Sequence, residues 1–183
     1  MLAQAEMYNL KIGQKAPFFQ LNGVDGKEYL SENFFEKKFL VIVFMCNHCP
    51  YVLAYIERIK ALAKAFTTKN VQFIGINAND SIKYPQDSFE NMKIFAVEKN
   101  LSFLYLYDKT QEVARAYGAL LTPHVMVFDK EQKLVYNGGI DDNWKYPEKA
   151  TKHYLKDALI ALTEGKTPEE QLTPCIGCSV KWR

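Results

Sequence analysis

The chain has 183 residues, 48% of them hydrophobic and 24% charged, enough to bury a core of its own without disulfide staples. A formal net charge of +2, with no basic run, gives no ground for nucleic acid or an anionic membrane surface as the main partner. The longest apolar stretch, FLVIVFMC, is too short to span a bilayer, and the opening MLAQAEMYNLKIGQKAP lacks the charged and apolar segments of a secretory leader, so a cytoplasmic protein is expected.

In chain order, FFQLNGVDGKEYL reads as a hairpin around the turn signals Asn22-Gly23 and Asp25-Gly26, and Ser31 caps a short helix after it. Residues 39–45 form a continuous apolar run of strand length, as expected of a central strand covered on both faces. From Pro50 the period changes: Val52, Ile56, Ile59, Ala63 and Phe66 fall at helical spacing. Residues 71–76 read as a strand, 86–100 as a helix started near Pro85, 103–107 as a strand, and 110–117 as a short helix closed by Gly118. Residues 124–128 and 133–136 alternate around DKEQ as an antiparallel hairpin, and 148–162 carry a last helix. The remainder, TPEEQLTPCIGCSVKWR, has no period. Two β-α-β units followed by a hairpin give an α/β fold: one domain over residues 1–183, a mixed central sheet with helices on both faces, an N-terminal hairpin, and a C-terminal tail at 165–183.

The four cysteines fall into two C-x-x-C pairs, Cys46–Cys49 and Cys175–Cys178. In a cytosolic chain such pairs point to redox chemistry or metal binding, and otherwise to buried small side chains. The strand–CxxC–helix setting favours redox chemistry. At a helix start the unpaired amides and the helix dipole stabilise a thiolate, the species that attacks disulfides. Cys46 is therefore expected to be the nucleophile and Cys49 the resolving thiol, with His48 favouring the thiolate form. No cofactor is expected beyond this redox-active disulfide.

IGQKAPFFQL, MCNHCPYV, DSFENMKIFA, YLYDKTQEVARAYG, TPHVMVFD, GGIDDN and the terminal IGCSVKW together resemble the redoxin group of thioredoxin-fold proteins. Within it they are closest to the peroxiredoxin-like branch related to alkyl hydroperoxide reductase and TlpA-type proteins. The resemblance implies a thioredoxin fold and a thiol–disulfide oxidoreductase acting on protein disulfides or dithiols. Its expected electron donor or acceptor is a thioredoxin or glutathione system. It further implies that Thr122-Pro123 is a cis-proline loop beside the cysteines, with Thr122, Pro123 and His124 forming the substrate-binding edge. His124 could tune a thiolate or ligate a metal there, or simply bond to backbone.

Two departures matter. Where peroxiredoxins carry P-x-x-x-T/S-x-x-C, counting back from Cys49 gives Ile42 and Cys46, which speaks against a thiol peroxidase. Where many thioredoxins bury an acid six residues before the first cysteine, this chain has Leu40, so the proton acceptor for Cys49 is left open among His48, water and other groups. The tail pair Cys175 and Cys178 reads either as a mobile electron relay or as incidental cysteines in a packed tail. A metal reading also stands: four cysteines binding zinc, although 125 residues separate the pairs, or copper held by the first pair and His124. Asp141-Asp142-Asn143 reads as a solvated acidic turn with Trp144 facing a partner, His153 as an exposed residue, and Phe103, Tyr105 and Tyr107 as sheet packing.

Overall fold

A computed structural model describes residues 10–183; the first nine residues, part of the stretch read for a leader, lie outside it. The strands are β1 (Gln20–Gly23), β2 (Glu28–Leu30), β3 (Phe39–Phe44), β4 (Val71–Asn77), β5 (Leu104–Tyr107), β6 (Leu121–Thr122), β7 (His124–Asp129), β8 (Leu134–Gly138) and β9 (Cys178–Ser179). The helices are α1 (Pro50–Phe66), α2 (Phe89–Glu98), α3 (Glu112–Tyr117) and α4 (Tyr154–Thr163). Seven strands make one mixed sheet in the order β2-β1-β5-β4-β3-β7-β8. Strands β3, β4 and β5 run parallel, and β1, β7 and β8 enter antiparallel. This is the expected thioredoxin fold. Among the described residues no helix is long and apolar enough to cross a membrane.

The unbroken apolar run of β3 follows from two cores. Val41, Val43 and Met45 join a cluster with α1, α2 and α4 through Ile56, Ile59, Met92, Phe95 and Leu159. The alternate residues Leu40, Ile42 and Phe44 join a second cluster on the opposite face with Val113 and Tyr117 of α3. A strand with both faces covered has no position for a polar side chain.

Three element boundaries moved from expectation. The segment read as a helix from residue 86 begins with a 3-10 turn at Pro85–Asp87, and α2 starts only after Ser88, whose hydroxyl accepts from the Asn91 amide at 3.3 Å. The last helix starts at Tyr154, not at residue 148, after a separate 3-10 turn at Pro147–Lys149. The tail, which has no period, is nonetheless folded: β9 pairs antiparallel with β6, Thr122 opposite Cys178. Upstream of β9, Gly138 and Gly139 let the tail lie against the end of β8, since a Cβ on either would meet Thr173 or Pro174.

Candidate active site

β3 ends at Phe44, and residues 45–49 cross from the sheet to α1. Cys49 is the N-cap of that helix and Pro50 its first residue, where the missing amide of proline costs nothing. Cys49, not Cys46, therefore stands at the start of that helix, and the nearby Val52 amide helps lower its pKa. Cys46 stands one step back in the loop. Both are buried, at 1% and 0% exposure.

The middle residues of C-N-H-C fix the loop. Asn47 donates from its amide to Asp87 Oδ1 at 2.7 Å and from Nδ2 to the Gln86 carbonyl at 2.8 Å, while its Oδ1 accepts from the Tyr105 hydroxyl at 2.8 Å. Tyr105, read as sheet packing, thus also orients the motif. Asp87 is fully buried; its Oδ2 accepts from Asn79 Nδ2 at 2.7 Å and lies 2.7 Å from His48 Nδ1. The His48 ring stacks on Tyr84 at 5.5 Å and is about one quarter exposed. Asp87 is the buried carboxylate that Leu40 failed to supply, delivered from the turn before α2. The sequence reading put residue 87 at the start of a helix over 86–100 and gave it no role; the only local signal was an acid after Tyr84-Pro85 beside a capping serine.

The peptide Thr122-Pro123 is cis, as expected. Thr122 contacts both sulfurs of the motif: its hydroxyl lies 3.6 Å from Cys46 Sγ, and its carbonyl accepts from the Cys49 thiol at 3.1 Å. The edge expected to receive substrate is occupied by the tail strand β9, which corrects the picture of an open Thr122-Pro123 groove. His124 is no part of that edge. It is fully buried, opposite Phe44 in the sheet register, with Nε2 2.6 Å from Asn137 Oδ1, and burial holds its pKa down to about 4.

The two motif thiols are neighbours, both against Thr122. Cys46 is pushed well up by the neighbouring Cys49, by burial and by the negative charge of Asp87. Cys49 is pushed down by the Cys46 S–H and, against burial, by Cys178 and the Val52 amide. The Thr122 carbonyl holds a protonated Cys49, but the Asp87 charge opposes an anion on Cys46, so Cys49 is the first of the two to ionise.

The tail cysteines differ from each other. Cys178 is half-buried, and its pKa is raised to about 11 by burial and by the neighbouring Cys49. Cys175 is buried, donates to the Pro123 carbonyl at 3.1 Å and is pushed up to about 12 by burial. The metal-type constellation among the described residues is neither of the expected sets but Cys46, His48 and Asp87, one ligand atom of each lying within 4.8 Å of the others. Asp141 is also not a solvated turn: buried, it accepts from the Tyr55 hydroxyl at 2.9 Å and from Arg58 at 2.6 Å. Arg58 also donates to the carbonyls of Asn143 and Trp144, seating the Trp144 ring against Tyr51 at 4.6 Å. His153 is exposed, as expected.

Comparison with known proteins follows this geometry. The family model described as Redoxin matches residues 11–155. The solved structure of an uncharacterised conserved protein from Geobacillus kaustophilus is 42% identical, covers 96% of this chain and 95% of its own, and superposes with a TM-score of 0.89. A Helicobacter pylori protein named peroxiredoxin bcp is 27% identical over 113 residues, 62% of this chain and 69% of its own length. The thiol-disulfide oxidoreductase ResA of Bacillus thuringiensis subsp. konkukian is 23% identical over 128 residues, 69% of this chain and 68% of its own. Thioredoxin-domain structures at lower identity share the fold.

Proposed function

Since this chain belongs to the redoxin family, we propose that it is a thiol–disulfide oxidoreductase whose two electrons reside on Cys46 and Cys49. The observation that carries the reading is the pairing of two buried thiols at a helix start, both within reach of Thr122, at 3.6 Å from its hydroxyl and 3.1 Å from its carbonyl. Cys49 is the thiolate that attacks a disulfide sulfur, and Cys46 then attacks Cys49 to close the pair. This reverses the order expected from the motif, because Cys49 stands at the helix start and the Asp87 carboxylate opposes an anion on Cys46.

His48 and Asp87 form the acid–base partner next to Cys46. The carboxylate is within hydrogen-bond distance of His48 Nδ1 and can hold an imidazolium that has taken the Cys46 proton. Neither group touches the outgoing sulfur in this scheme; they prepare Cys46 for the closing step. Substrates are protein disulfides or dithiols, with a thioredoxin or glutathione system as the exchange partner. The ResA relative, by name a thiol-disulfide oxidoreductase, supports this class.

A redox titration in thiol/disulfide buffers, with alkylation and peptide mapping, tests the proposal. A reversible Cys46–Cys49 disulfide in metal-free protein is expected. Its midpoint separates a reductant at roughly −270 mV from an oxidant at about −120 mV. If both thiols stay alkylatable at every buffer ratio, or a stoichiometric metal protects them, the oxidoreductase reading falls.

A thiol peroxidase is the second reading, favoured by one observation: the residue that ionises first is Cys49, the position of the peroxide-reacting cysteine in peroxiredoxins. Against it, Ile42 and Cys46 stand where that pocket needs Pro and Thr. Saturable peroxide consumption that survives Cys46→Ser and dies with Cys49→Ser would decide for it.

A further inference from the structure

Cys46 and Cys49 are closed off, at 1% and 0% exposure, so a protein disulfide meets what covers them before it meets either sulfur. What covers them is the tail. Strand β9 lies antiparallel on β6, the Val180 amide donates to the Leu120 carbonyl at 3.0 Å, and the Thr122 hydroxyl donates to the Cys178 carbonyl at 3.5 Å. Gly177 lies so near that a Cβ there would stand 2.4 Å from the Thr122 carbonyl oxygen. Thr122 is therefore the common neighbour of three cysteines: Cys46 through its hydroxyl, Cys49 through its carbonyl, Cys178 across the β ladder. Of the three thiols only Cys178 reaches the surface, and it packs against the buried cluster that holds Cys46 and Cys49. Cys175 does not share this place; it is buried against the Pro123 carbonyl.

We propose that Cys178 is a third redox thiol, the port through which the buried Cys46–Cys49 pair exchanges electrons with protein disulfides. The proposal rests on the reading of Cys46–Cys49 as the redox pair and names the sulfur that Cys49 attacks. In the reducing direction the chemistry is three exchanges. With Cys49 as the thiolate and Cys46 and Cys178 as thiols at the start, Cys178 passes its proton to Cys49 and attacks a partner's disulfide, so that a Cys178–partner bond forms and the partner's other sulfur leaves as a thiolate. Cys49, its proton lost to that thiolate, attacks Cys178; a Cys49–Cys178 bond forms and the partner's first sulfur leaves. Cys46, its proton lost to that departing sulfur, attacks Cys49; the Cys46–Cys49 bond forms, and Cys178 leaves as a thiolate and takes a proton from water. Two electrons have passed from Cys46 and Cys49 to the partner together with the protons of Cys46 and Cys178, and the one proton drawn from water returns Cys178 to its starting thiol.

The test uses full-length reduced protein mixed with hydroxyethyl disulfide, quenched in acid at intervals and mapped by peptide mass without reduction. Cys49→Ser is expected to stop with the hydroxyethylthiol adduct on Cys178, and Cys46→Ser to stop at a Cys49–Cys178 disulfide. In the wild type, which needs no substitution and so no assumption about folding, the Cys178 adduct is expected before the Cys46–Cys49 link. Cys178→Ser should lose most of its rate of forming that link. The port is overturned if Cys178→Ser forms the link at the wild-type rate, or if the first adduct sits on Cys46 or Cys49. Those results leave the parent reading intact. A wild type that accumulates Cys49–Cys178 and never links Cys46 to Cys49 would keep the third thiol and sink the parent reading.

Discussion

Asp87 Oδ2 lies 2.7 Å from His48 Nδ1 and, though 40 residues from Asn47 in sequence, receives that residue's amide on its other oxygen. One buried carboxylate thus both fixes the loop and sets the charge beside Cys46. Its negative charge raises the Cys46 pKa. Asp87→Asn keeps the shape and removes the charge, so Cys46 should ionise at lower pH than in the wild type. The pH dependence of Cys46 alkylation, followed on its peptide, checks this; an unmoved or upward-shifted profile would refute the electrostatic role.

His124 gives a pH dependence of folding. Burial lowers its pKa from 6.5 to about 4, so below 6.5 the unfolded chain binds a proton that the folded protein refuses. Its contribution is therefore fully present above pH 6.5 and lost as pH falls towards 4, by about 3 kcal/mol at ~1.4 kcal/mol per unit. Urea unfolding across that window should show a shallower loss in His124→Gln than in the wild type. Parallel curves would mean that His124 is not held neutral.

Gly177→Ala should lift the tail. The added Cβ meets Thr122 backbone atoms at 2.4 and 2.7 Å, which no side-chain rotation relieves. The expected cost is ~1–3 kcal/mol, typical of overpacking. Loss of the β6–β9 pairing should speed alkylation of Cys49. Unchanged Cys49 protection would show that the tail is not what covers it.

Arg58→Ala leaves Asp141 buried with only the Tyr55 hydroxyl and neighbouring amides as donors, since the guanidinium is its sole ion partner among the described residues. Removing one member of a buried pair typically costs about 3 kcal/mol or more. The same change frees the Asn143 and Trp144 carbonyls, so the tryptophan fluorescence should shift along with the lowered urea midpoint. A change of less than ~1 kcal/mol, the range of an exposed pair, would place Arg58 and Asp141 effectively in solvent.

What the sequence determined was what local pattern and residue chemistry can carry. The apolar run of β3, the switch to helical period at Pro50, the C-x-x-C between them and the X-Pro at Thr122-Pro123 each follow from neighbours a few residues apart, because pleat, helical repeat and backbone sterics are local constraints. Tertiary structure decided the rest. Asp87 joins Asn47 across 40 residues, the Cys49 thiol meets the Thr122 carbonyl across 73, and the tail's two-residue strand exists only because β6 offers it an edge. Which cysteine ionises first was decided in the same way. Both share one motif, and the charge falls on the sulfur that the fold keeps from the buried carboxylate of Asp87, a placement that no spacing along the chain encodes.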